Sequence, residues 1–166
     1  MPDIIDYYLN SASNIVQYET IEISHPDFTQ SYFFVRNNTE GLTALIEGSV
    51  SKDFDYLPMK ITENPSSADL DYSLTVEFGD LGEYLPLELD AVVDADGLFV
   101  EPTLVYRTFR SDDLTEPLVG PIILKIKSFA FDRYGSVFQA TADRANSQKT
   151  GELYTISRFP ILRAFL

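Results

Sequence analysis

Between residues 72 and 78 the chain alternates. Tyr72, Leu74, Val76 and Phe78 are apolar, and Ser73, Thr75 and Glu77 between them are polar. A period of two marks a strand with one dry and one wet face. Weaker runs of the same period fall at 19–24, 31–36, 43–47, 54–61, 98–109, 122–131, 136–141 and 152–159. Turn formers separate them, among them Asn37-Asn38, Asn64-Pro65-Ser66-Ser67, Ser111-Asp112-Asp113 and Tyr134-Gly135.

Two segments leave this rhythm. Ile4, Ile5, Tyr8 and Leu9 share one helical face, and Asp3 is placed to cap a short helix over residues 3–13. Leu85, Leu89, Val92 and Val93 also recur at helical spacing. Pro86 suits a first helical position, and Asp96-Gly97 supplies the turn that follows. The pattern predicts a mainly β fold of the α+β kind, an antiparallel β-sandwich or split barrel. It would have about nine strands and two short helices. No repeat and no long linker marks a second domain, so residues 1–166 read as one. Within it, 1–17 is an N-terminal helix or arm and 18–166 is the β domain.

Composition narrows the classes. A chain of 166 residues with twelve Phe and ten Tyr can bury a core, which excludes a disordered acidic tail. There is no cysteine, so disulfides, thiolate zinc sites and Cys nucleophiles are excluded. No apolar run is long enough to span a bilayer as a helix, and no membrane insertion is expected. Asp3 and Asp6 stand where a secretory leader needs bases.

Charge changes the picture most. The formal net charge is −14, which disfavours non-specific binding to nucleic acid. Residues 1–106 hold 20 acids against three bases, and residues 107–166 hold six acids against nine bases. A subunit whose basic surface meets a neighbour's acidic surface has a reason for such sorting. So has a wall that repels a polyanion passing along it.

Candidate chemistry is thin. His25 is the only histidine, and neither GxSxG nor HExxH is present to partner it. With Pro26 after it, His25 reads as part of a structural turn. Asp90, Asp94, Asp96 and Gly97 resemble part of a calcium loop, but Val92 and Thr103 would occupy its first and last ligand positions, where neither serves. Asp53/Asp55 and Asp69/Asp71 are spaced like one face of a strand and read as hydrated surface. Tyr7, Tyr8, Tyr32 and Tyr84 are the aromatics that could stack on a sugar, although the chain has no Trp. Gly79 and Gly82 lie in an acidic stretch that repels phosphate. No cofactor, metal or catalytic residue is expected.

Read in order, several pieces resemble a family of minor tail proteins of long-tailed phages. They are the stretch from Glu19 to Phe28 with His25-Pro26, and the strand from Leu74 to Phe78 running into Gly79-Asp80. The helix-like segment follows, then Val105 to Asp113 with Pro117 ahead of the apolar strand at 122–126. Asp143-Arg144-Ala145-Asn146 and Tyr154 to Pro160 complete the set. The resemblance spans about residues 18–166. The acidic load of 63–101 and the ending from Ile161 to Leu166 depart from the family's pattern.

The resemblance implies a structural virion protein at the distal end of a tail, folded in the host cytoplasm and with a tail-tube-like core. Such subunits form homo-oligomeric rings, commonly hexamers, between the tail tube protein and the tip or baseplate hub. DNA passes through the channel without specific binding. On this reading Asp80, Glu83, Glu88, Asp90, Asp94 and Asp96 face the channel or a neighbour. Arg107, Arg110, Arg133, Arg144 and Arg158 supply the basic interface. The alternative is a β-sandwich carbohydrate-binding module for host-surface recognition, and an enzyme is the more distant third.

Overall fold

The computed structural model describes residues 15–47, 50–64, 72–79, 88, 100–132 and 135–142. Every element among them is a strand. They are β1 (Gln17–Ser24), β2 (Tyr32–Val35), β3 (Leu42–Ile46), β4 (Val50–Tyr56), β5 (Met59–Asn64), β6 (Ser73–Phe78), β7 (Thr103–Arg110), β8 (Val119–Asp132) and β9 (Gly135–Thr141). The helices expected at 3–13 and 86–94 fall outside the described residues, Glu88 excepted. No helix of the described residues is long and apolar enough to cross a membrane.

All nine strands join one sheet in the order β3-β4-β2-β1-β7-β8-β9-β6-β5. The pairing is mainly antiparallel, as expected; the exception is β2 and β4, which pair in parallel through Phe34↔Asp55 and Val35↔Tyr56. The chain runs forward in β2, back in β3 and forward in β4, which brings β4 beside β2 in the same direction. Sequence periodicity carries no information on that choice, since either direction keeps a period of two.

Two features curl the sheet. The β8 ladder to β9 slips between Ile126 and Ser128, and such bulges bend a strand. The first part of β8 pairs with β7 and the later part with β9. The second feature is the two-residue link from β4 to β5. Leu57 N–H donates to Val35 O at 3.0 Å, and Pro58 O accepts from Gly79 N–H at 3.0 Å. Consecutive residues thus tie the β2 side of the sheet to the end of β6.

The concave face encloses the main core. Ile21, Ile23, Leu104 and Tyr106 of one half meet Leu74, Val76, Phe78 and Phe138 of the other, with Leu124 and Ile126 at the bend. Phe34 of β2 lies 6.2 Å from Phe78 of β6, ring centre to ring centre, although four strands lie between them in the sheet order.

A second core lies on the convex face. There the β3–β4 hairpin lays Leu42, Ala44, Ile46 and Phe54 over Val35 and Phe109. Strand β7 is therefore buried on both faces, and its six central residues are all buried. Gly135 opens β9 with φ +154°, and a Cβ there would stand 2.2 Å from Phe78 O. That close approach requires glycine.

Candidate functional site

Arg107 lies on the convex face of β7, beneath the hairpin. Its side chain is 4 % exposed. Nη1 donates to Glu22 Oε2 at 2.7 Å, and Nη2 donates to Glu47 Oε1 at 2.6 Å. Glu22 comes from the neighbouring strand β1, and Glu47 from the turn between β3 and β4. The planar fork of arginine suits two carboxylates at fixed angles, and of the two it is Glu22 that meets it in a nearly dry site, while Glu47 is half exposed. Arg107 thus pins the tip of the hairpin to the sheet. It faces into the molecule, where the sequence suggested an interface.

Arg110 also turns to its own chain. Its Nε and Nη2 donate to Asp112 Oδ1 and Oδ2 at 2.9 and 2.6 Å. The bond from Arg110 holds the Asp112 carboxyl below its ordinary range. The other bases of the described residues behave alike. Arg36 pairs with Glu19, and Lys60 Nζ lies 3.2 Å from Glu77 Oε1. Lys127 Nζ donates to Glu101 Oε1 at 2.6 Å, and Lys125 Nζ to Thr103 Oγ1 at 2.8 Å. Lys52 Nζ sits 5.2 Å above the Phe33 ring. Each described base thus has a partner within the chain, a carboxylate for Arg36, Lys60, Arg107, Arg110 and Lys127, a hydroxyl for Lys125 and a ring for Lys52.

Glu88 is the one channel candidate among the described residues. Its carboxylate accepts from Thr29 N–H at 3.2 Å and from the Tyr32 hydroxyl at 3.3 Å. The Thr29 bonds hold the carboxyl below its ordinary range. Burial first, and Glu88 second, raise the Tyr32 phenol. Nearby, Asp27 N–H donates to His25 Nδ1 at 3.1 Å. Nδ1 is therefore the acceptor, so Nε2 carries the proton and donates to Val100 O at 2.7 Å. The His25 side chain is fully buried. The turn after β1 thus grips the acidic stretch at two points, Glu88 and Val100. Asp80, Glu83, Asp90, Asp94 and Asp96 lie outside the described residues, as do Arg133, Arg144 and Arg158.

One site was not legible in the sequence. Beside their two paired residues, β2 and β4 diverge and leave a cleft of ≈ 420 Å³. Gln30, Ser31 and Phe33 line one side, and Lys52, Asp53 and Asp55 line the other. Alternation in residues 50–56 gives a strand but says nothing of where a ladder stops. Among the described residues no group of three or more His, Asp or Glu side chains is placed to hold a metal ion.

No curated protein matches the chain to a significant degree. Residues 5–143 match a family described as Domain of unknown function (DUF1833). That span takes in all nine strands, both cores, the Arg107 clamp and the turn at His25. The match covers most of the 166 residues, and the chain belongs to the DUF1833 family.

Proposed function

We propose that the protein is a non-enzymatic structural component of a phage tail, forming a ring at the distal end around the DNA channel. The observation that carries the proposal is the fate of the bases. Those of the described residues are bound within their own chain, while the molecule as a whole carries a net charge of −14. An acidic excess whose described bases are already engaged by their own chain suits a wall past which a polyanion slides. It suits an acid-to-base interface between subunits less well.

The finer fold belongs to the same proposal. One core filled from both halves of the sheet, a bent β8 and the Leu57-Pro58 tie together support a split barrel of the tail-tube kind. In such barrels strands turn the corners at bulges. Six-fold closure, the tail tube and hub as neighbours, and location in the virion all rest on the family resemblance.

The test is an image of tail particles carrying a tagged copy of the chain. A ring of tag density at the distal end is expected. Particles with complete tails and no tag would refute the proposal. With the location established, Asp94→Lys together with Asp96→Lys should leave ring formation intact and slow DNA ejection.

A further inference from the structure

The cleft between β2 and β4 is a break in a ladder. Arg36 N–H bonds to Glu19 O. By alternation Phe34 and Tyr32 also turn their backbone groups to β1, while Val35 and Phe33 turn theirs toward β4. Val35 O does accept from Leu57 N–H there. The register to β4 ends at Phe34↔Asp55, so the Phe33 N–H lies beyond the last paired step.

The β4 side is built the same way. Leu45 gives its N–H to Leu114 O, away from β4. Its opposite residue, Ser51, therefore turns its N–H and C=O away from β3, and so does Asp53 two residues on. Both sets of backbone groups face the cleft. Its volume of ≈ 420 Å³ lies within the ~300–1,000 Å³ typical of ligand pockets.

The side chains set a charge preference. Asp53 and Asp55 project from the face of β4 opposite Phe54, and both are exposed. Lys52 lies on the Phe54 face, over the Phe33 ring. The outer lip is therefore acidic.

We propose that this cleft accepts an extended segment of a partner protein, which adds as a strand along the Ser51–Asp53 edge and sets a basic side chain against Asp53 and Asp55. Backbone bonds supply the affinity and the acidic lip supplies selection, as in other strand additions. The proposal does not depend on the ring reading.

The test uses the full chain, panned against a displayed library of short random peptides. Enriched peptides should alternate β-branched residues and carry Lys or Arg. The best of them should bind at least about tenfold more weakly to Asp53→Lys/Asp55→Lys, the loss of a charge-assisted contact. Its binding should also slow hydrogen exchange at the Phe33 and Asp53 amides. If the reversed chain fails to fold, Asp53→Asn/Asp55→Asn carries the same test with a smaller loss. No enrichment, no preference for bases, or unchanged exchange at those amides would overturn the proposal. Self-association that the charge reversal abolishes would also overturn it, because the occupant would then be a second copy.

Discussion

Strands β6 and β7 treat the same alphabet differently. Along β6 buried Leu74, Val76 and Phe78 alternate with Ser73, Thr75 and Glu77, which are more open. Along β7 the polar residues Arg107 and Thr108 are as buried as Leu104 and Phe109. The difference is what lies outside. β6 has one core face and one wet face, whereas the β3–β4 hairpin covers β7. Alternation therefore reports burial on one side only. A covered strand must pair its charge, and in β7 Arg107 does so through Glu22 and Glu47.

The largest effect should come from breaking the one-sided strand on its dry face. Val76→Asp buries a charge among Leu74, Phe78 and Phe138, at a cost of at least several kcal/mol, about the whole stability of a domain. Thr75→Asp, on the other face, should cost under about 1 kcal/mol in chemical denaturation. Equal losses would show that the faces of β6 are misassigned.

The covered strand should fail through its charge. Arg107→Met leaves Glu22 largely buried without its cation and should cost about 3–5 kcal/mol. Glu47 is half exposed, so Glu47→Gln should cost only about 0.2–1 kcal/mol. Denaturant midpoints of the two variants check this, and a large Glu47→Gln loss would move the weight of the clamp to the hairpin tip. Gly135→Ala should cost about 1–3 kcal/mol, because its Cβ would meet Phe78 O.

The smallest effect separates the strands by pH. Burial first, and the Glu63 carboxylate second, push the Tyr72 phenol up to about 12 from its ordinary 10.0. The unfolded chain ionises this group from pH 10.0 upward while the fold still holds its proton. Its contribution is whole below that pH and is lost as the pH climbs to about 12. Tyr72→Phe should flatten the alkaline loss of stability, measured as denaturant midpoint against pH. An unchanged slope would remove Tyr72 as its source.

Much of the sheet was readable in advance for the same reason that β6 was. The strands at 19–24, 43–47, 72–78 and 136–141 each carry a period of two, strongest at 72–78. The single curled sheet was not readable, because its bend depends on the ladder slip at Ile126/Ser128 and its tie on two backbone hydrogen bonds at Leu57 and Pro58. Nor was the fate of Arg107. A base in a polar position reads as surface until the hairpin that covers it is placed. The β2–β4 cleft left no mark, since the end of a ladder is a matter of backbone geometry.

The central claim is that the acidic excess is left over, not matched to a neighbour's bases. Sedimentation of the full chain across a salt series tests it most directly. Raising salt from 0.1 M to 1 M shortens the screening length from ~10 Å to ~3 Å. If the acids stand unmatched, subunits repel one another, and added salt should leave assembly unchanged or tighten it. Rings that fall apart as salt rises would show that acid-to-base contacts hold them, and would contradict the account.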